Sequence, residues 1–365
     1  MKKLKIKEIC YNIFSGGTPK TTIKEYYNGH IPFLSISDID NKYIYNTKKS
    51  ITEEGLKNSS AKLVTEDTLC LTIYGSIGIP FIVKKTISIP QSILAFELRD
   101  NFDLEYIYYL FNSKKNFLLK MSSTGTQPNL SKETISNILL NIHSFSEQKK
   151  IGSFFKELDE LIIINKNFKN IINKIEKYIF NEIKKTSFNK ETIKLKDLAI
   201  YINGKAHEKD ITNDGTITLI NSKFISSNGK IKKYVNKNHQ LTKKNDICLV
   251  LSDVPNGKSL GKTYIAKGDE ALNQRICILR TEKYDPIVLS FFVNRNKEIL
   301  LLNDGVSQTN LKKDDVINIK IPNLNEKEQE NIKKIYLLFK EYIELIDNKI
   351  ISLEKIKKYY LNKIF

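Results

Sequence analysis

The chain writes one pattern twice. Gln127 and Asn129 in "TGTQPNL" (Thr124 to Leu130) recur as Gln308 and Asn310 in "DGVSQTNL" (Asp304 to Leu311), an offset of 181 positions. The same offset carries Glu147-Gln148 onto Glu328-Gln329, and "KYIFNEI" (Lys177 to Ile183) onto "KYYLNKI" (Lys358 to Ile364). With small gaps the match runs upstream. "TLCL" (Thr68 to Leu71) pairs with "DICL" (Asp246 to Leu249), and "IPQSI" (Ile89 to Ile93) with "LNQRI" (Leu272 to Ile276). "IKEI" (Ile6 to Ile9) pairs with "LKDL" (Leu195 to Leu198). Self-similarity of this extent makes the molecule two tandem copies of one unit, each long enough to bury its own core.

Each copy reads in the same order. A Gly-containing loop comes first, Ser15-Gly16-Gly17-Thr18-Pro19-Lys20 in one copy and Asn203-Gly204-Lys205-Ala206-His207 in the other. Short β-rich runs follow, then a helical pattern (Leu104 to Met121 against Val288 to Leu302), then the Gln loop. The globular parts are therefore α+β, mixed in each copy. We divide the chain into globular domains at 1–145 and 188–324, and closing helical segments at 146–187 and 325–365.

The closing segments differ in kind from what precedes them. Ser146 stands before Glu147-Gln148 as an N-cap would, and Asn325 with Glu328 three residues on gives a capping-box-like start. Neither segment contains proline, and Gly152 is their one glycine. Apolar residues fall at Leu158, Leu161, Phe168, Ile172, Ile175 and Ile179, with Asn165 as a break. In the second segment they fall at Ile343, Ile346, Ile350, Leu353, Tyr360 and Ile364, with Lys357 as a break. A 3-4 stripe on a long helix seeks another helix. Two matching stripes predict that the helices pack on each other as a coiled-coil spacer, ~55 Å long at 1.5 Å rise per residue.

Composition narrows the partner. Lys+Arg number 59 against 41 Asp+Glu, a formal net charge of +18, which suggests a polyanion such as nucleic acid. Only Arg99, Arg275, Arg280 and Arg295 are arginines. The cysteines Cys10, Cys70, Cys248 and Cys277 form no CxxC pair and read as buried, reduced thiols; the four histidines show no metal-ligand spacing. No run of 18 apolar residues and no signal-peptide stretch appears, so a cytoplasmic protein without membrane contact is expected.

Two similar domains on a spacer, with a basic surface, suggest a two-part reader of double-stranded DNA whose half-sites lie roughly one turn apart. Loops rich in Gln, Asn, Ser and Lys supply both phosphate and base-edge contacts. Candidate DNA-binding residues in the first copy are Thr18, Lys20, Ser37, Tyr74, Ser76, Gln91, Ser92, Thr126 and Gln127. In the second copy they are Lys205, His207, Asn221, Lys223, Lys258, Gln274, Arg275, Ser307 and Gln308. Residues shared by both copies, such as Gln127 and Gln308, also suit a structural role, because readers of different half-sites should differ where they touch bases.

This order of features resembles the specificity subunit of type I restriction-modification systems. Ser15-Gly16-Gly17-Thr18-Pro19, the paired Gln91 and Gln274, "GTQPNL" from Gly125 and the two Glu-Gln helix openings carry the resemblance, which covers essentially the full length. It implies two target recognition domains, each followed by a long helix, with the helices antiparallel, a pseudo-two-fold relation between the copies, and docking of two methyltransferase subunits on the helices. It implies no catalysis and no cofactor in this chain. S-adenosylmethionine, ATP and Mg belong to the partners, which include restriction subunits where the complex cleaves.

Two other readings are compatible with the overall pattern. A stand-alone adenine methyltransferase requires an Asn/Asp-Pro-Pro-Phe/Tyr motif, absent here, and a second scaffold-type reading makes the chain a two-domain adaptor. Ser252-Asp253-Val254-Pro255-Asn256-Gly257-Lys258-Ser259 lies one residue short of a P-loop, but Ser252 replaces the first glycine and "LGKTYIAKG" reads as a strand where a P-loop needs a helix.

Overall fold

The computed structural model describes residues 1–122, 129–237, 240–254, 257–303 and 307–365. Contacts divide the chain into two compact units, one of residues 1–168 with 347–365 and one of residues 169–346.

In the first unit a five-stranded sheet has the order Cys10–Ser15, Ile93–Leu98, Leu69–Thr72, Pro80–Val83 and Tyr43–Ile44. A four-stranded sheet (Lys49–Ile51, Tyr27–Phe33, Ile87–Ile89, Lys62–Val64) covers one face, and helices cover the other. The central strands are therefore buried on both sides, and alternate side chains enter different cores. Leu94 and Phe96 join the core under the helices, while Ile93 and Ala95 join the core between the sheets. That is why these strands read as unbroken apolar runs.

The second unit repeats the plan. Its larger sheet has the order Ile200–Asn203, Ile276–Arg280, Ile247–Val250 and Thr263–Ile265, and a smaller four-stranded sheet lies beside it. Ile247 and Leu249 face one core, Cys248 and Val250 the other. All four cysteines are buried and unpaired, and burial pushes the Cys10 thiol up to about 12.

The helical pattern after the sheet is broken in both units. Leu104–Ser113 and Lys115–Met121 are separate helices, as are Pro286–Val293 and Lys297–Leu301. The second break is at Arg295, whose positive φ of 51° no helix accommodates. Asp103 and Asp285 cap the first helix of each pair, accepting from Tyr106 N at 2.8 Å and Ile287 N at 2.8 Å.

The long helices run Phe145–Phe188 and Glu326–Ile364. The first is capped by Ser144, two residues before the serine expected: Ser144 and Glu147 form the reciprocal box, with Ser144 N donating to Glu147 Oε2 at 3.0 Å. Asn325 and Glu328 form the second box as expected. Within the first unit, Phe154 meets Tyr360, Asp159 pairs with Lys357, and Lys166 Nζ lies 2.7 Å from Glu354. One sequence rises while the other falls, so the pair is antiparallel. Within the second unit Phe180 packs on Phe339 and Tyr336, and Lys190 pairs with Glu328, again antiparallel.

The inner stripe is not quite the one expected. Phe155, Leu158, Ile162 and Asn165 are buried, whereas Leu161, Phe168 and Ile175 are exposed, at 44%, 46% and 43%. Together with Ile164, Ile171 and Tyr178 these form a second apolar stripe at 3-4 spacing, facing away from the partner helix. In the second helix Ile346 and Ile350 are buried as the spacing predicts, and Tyr360 is 38% exposed. Both expected breaks have a partner: Lys357 meets Asp159, and Asn165 Nδ2 donates to Leu161 O at 2.7 Å. Among the described residues no helix is long and apolar enough to cross a membrane.

Candidate nucleic-acid interface

In the first unit Leu94 lies opposite Ser15, Ile93 opposite Thr72, and Leu71 opposite Pro80. The loops that leave Ser15 and Thr72 and the turn that enters Ile93 therefore emerge at one end of the sheet. They are laced together by main chain. Ile73 N donates to Ser92 O at 2.9 Å, Leu130 N donates to Ile73 O at 3.1 Å, and Tyr74 forms an antiparallel bridge with Asn129. Gly16 lies directly on the carbonyl of Ile89, where a Cβ has no room. A Cβ built on Gly75 would lie 3.1 Å from Ile36 Cδ1, which puts the Ile36–Asp38 turn, with Ser37, beside the same loops.

The second unit is laced identically. Leu251 N donates to Arg275 O at 2.9 Å, Leu311 N donates to Leu251 O at 2.8 Å, and Ser252 pairs with Asn310. Gly204 lies on the carbonyl of Asn273. The pairing of Ser92 with Arg275, read from sequence, is thus matched by hydrogen bonds. Each unit presents one loop face built on the same frame.

The candidates distribute as follows. Thr18, Lys20, Ser37, Tyr74, Ser76 and Gln91 are exposed on the first face and Ser92 is half-buried; Thr126 and Gln127 fall outside the described residues. On the second face Lys205, Lys223, Lys258, Gln274, Arg275, Ser307 and Gln308 are exposed. Two candidates are corrected by their surroundings. His207 is fully buried, its Nδ1 2.9 Å from Lys205 O, so it shapes the loop from within. Asn221 Oδ1 accepts from Phe224 N at 2.9 Å, capping the helix that displays Lys223. Gln308 Nε2 donates to Ser252 Oγ and to Asn310 Oδ1, both at 3.2 Å, the loop-tying role expected of a residue shared by the copies.

Ser60 and Lys62, outside the candidates read from sequence, lie beside the Ser15–Lys20 loop. The Ser15–Lys20 loop rests on Ser60 through Gly17, and Lys62, paired in register with Ile89, is exposed with its Nζ 5.4 Å from the Phe14 ring centre. The polar run "NSSAK" before the strand was the available signal.

The P-loop-like stretch is closed by its own side chain. Asp253 accepts from Val254 N at 2.9 Å, Ser259 N at 2.5 Å and Leu260 N at 3.2 Å. A carboxylate occupies the N–H groups that a phosphate would need, and the chain goes on to the strand Thr263–Ile265. Among the described residues no group of three or more His, Cys, Asp or Glu side chains is placed to hold a metal ion.

The type I restriction modification DNA specificity domain family matches residues 1–177 and again residues 189–355. The chain belongs to that family. Among its relatives is the type I restriction enzyme MjaIX specificity subunit of Methanocaldococcus jannaschii, 34% identical over 163 residues, 43% of this chain and 38% of that protein. The EcoR124I/EcoR124II specificity subunit of Escherichia coli is 24% identical over 40% of this chain and 38% of its own length. In both, the match spans well under half of the relative. The MjaVIII specificity subunit of M. jannaschii is matched over 95% of this chain and 88% of its length, at 25% identity. Among solved structures, the S subunit of a type I system from M. genitalium has a TM-score of 0.62 at 17% identity, covering 100% of this chain and 96% of that one. A chain from a study of complex assembly in the type I R-M system gives 0.65 at 13%, covering 99% and 96%. These structural likenesses concern the family's fold.

Proposed function

We propose that this chain is the DNA-recognition subunit of a type I restriction-modification complex. Its recognition domains, residues 1–145 and 188–324, each read one half of a split, asymmetric site. The observation that carries the reading is the duplicated loop face, one hydrogen-bonded frame bearing different exposed side chains in each unit. The net charge of +18 supplies the sequence-independent attraction to phosphates.

The long helices, residues 146–187 and 325–365, set the spacing between half-sites and carry the docking sites for two methyltransferase subunits. The outward apolar stripe from Leu161 to Tyr178 fits that role, since an isolated subunit gains nothing by exposing it. Chemistry belongs to the partners: S-adenosylmethionine in the methyltransferase subunits, which flip and modify adenine, and ATP with Mg in restriction subunits. The complex acts on cytoplasmic DNA.

The test is to co-express the chain with the methyltransferase subunit of its complex and map methylated adenines by single-molecule sequencing. A bipartite motif with an unspecified middle, dependent on this chain, is the expected result. A continuous motif, or methylation indifferent to the chain, overturns the reading. Replacing residues 1–145 by those of a relative should change one half-site only, and one extra heptad in each long helix should lengthen the spacer.

A further inference from the structure

The chain uses lysine for nearly all of its positive charge, and three of its four arginines have a visible structural task. Arg280 holds Asp246 through two hydrogen bonds of 2.7 Å. Arg295 donates to Lys258 O at 2.9 Å from a left-handed backbone. Arg99 lies 5.0 Å from the Tyr11 ring centre. Arg275 is different: its side chain is exposed, and among the described residues its guanidinium has no hydrogen-bond or ion-pair partner.

Its backbone, by contrast, is held on every side. Arg275 N donates to Asn273 Oδ1 at 3.1 Å, its carbonyl accepts from Leu251 N at 2.9 Å, and Ile276 beyond it is fully buried. A long side chain on a fixed base, beside exposed Gln274, projects from the loop face. The equivalent turn of the first unit has the same carbonyl bond, from Ile73 N, with Ser92 in the arginine's place. The two faces thus differ at a matched, rigid position by the presence of a planar five-donor fork.

We propose that Arg275 is a specificity-determining residue that reads a guanine in the half-site of the second recognition domain. The guanidinium matches O6 and N7 of guanine bidentately in the major groove. Lysine, plentiful elsewhere in the chain, supplies only a point charge. Ser92 gives the first domain no such reader, so the two half-sites differ here by construction. The inference rests on the proposed DNA-recognition role and deepens it.

The experiment uses the full chain assembled with its methyltransferase subunit, comparing wild type with R275S, R275K and S92R. Motifs are mapped by single-molecule sequencing. Competition binding with duplexes altered one base pair at a time gives a second readout that does not need methylation. Wild type should show one G·C pair in the second half-site that R275S relaxes, with discrimination against other bases falling about 5- to 150-fold. R275K should relax it too, since the charge remains but the fork is lost, while the first half-site stays unchanged. S92R, which adds a fork to the first face, should alter the first half-site only.

Uniformly weaker binding by R275S with an unchanged motif would make Arg275 a phosphate contact and overturn the proposal. So would relaxation in the first half-site. Failure of the underlying role looks different, because then the wild-type chain itself yields no bipartite motif.

Discussion

Gln329, buried at the start of the second long helix, accepts the backbone N–H of Asp285 at 2.7 Å and donates to the carbonyl of Leu324 at 2.9 Å. Gln148 does the same in the first unit, accepting from Asp103 N at 2.9 Å and donating to His143 O at 3.0 Å. Each glutamine ties a long helix to the capping residue of the helix that covers its sheet. Gln148→Leu or Gln329→Leu leaves a buried N–H and a buried carbonyl without partners, and each should lower stability by about 1–3 kcal/mol. Urea unfolding measures this, and an unchanged midpoint would show the pair to be ornamental.

Gly152 occupies the position that Lys333 holds in the other copy, and the two solve one docking problem differently. A Cβ at Gly152 would lie 2.9 Å from Tyr106 N and crowd the Asp103 carboxylate that caps the helix Leu104–Ser113. Gly152→Ala gains about 1 kcal/mol of helix propensity but faces an overpacking cost of about 1–3 kcal/mol and a weakened cap, so the net effect should be destabilising. Lys333 Nζ pairs with Asp285 at 2.9 Å from a one-third-exposed side chain. Lys333→Ala should therefore cost under about 1 kcal/mol. Thermal denaturation of the two variants settles the order, and a more stable Gly152→Ala protein would contradict it.

Acid should loosen the helix starts. Hydrogen bonds from Ser144 hold the Glu147 carboxyl below its ordinary 4.5, and the bond from Lys190 does so for Glu328. Because the folded-state values are depressed, the stabilisation is present above pH 4.5 and is lost as the pH falls through the folded values below it. Glu147→Gln and Glu328→Gln should flatten the acid side of a stability-against-pH curve and change little at neutral pH. Curves that stay parallel to wild type would refute the assignment.

Asp253 closes the Ser252–Ser259 loop, so the chain should not bind nucleotide. Calorimetric titration with Mg-ATP should give no binding heat. Asp253→Ala should cost about 1 kcal/mol through the loosened loop without creating a site. Saturable binding by wild type would reverse this reading.

Much of the architecture was legible because it is written twice. The offset of 181 located both helix-opening glutamines, and the pairing of Ser92 with Arg275 anticipated a matched frame. The long helices were harder to read. Two 3-4 stripes run along the first one, Phe155, Leu158, Ile162 beside Leu161, Ile164, Phe168, and periodicity shows which residues share a face but not which face meets the partner. His207 and Asn221 looked like surface polar residues because composition cannot tell a loop's outside from its inside. The position of Lys62 beside the loop face could not be read from sequence because it arises from strand pairing with Ile89, a contact distant in sequence.

The first compact unit is assembled from two stretches far apart in the sequence, since residues 347–365 belong with residues 1–168. Tyr106 and Phe155 pack on the ring of Phe365, Lys114 Nζ reaches the Phe365 carbonyl at 2.8 Å, and Tyr109, bonded to Asp159 at 2.7 Å, sits over the same carboxylate that Lys357 grips. A new first domain put in place of the present one would therefore meet foreign neighbours in residues 347–365. Any such exchange would be filtered at that seam: an incoming domain could bring any set of loop residues, provided its back still fitted a helix end it did not evolve beside.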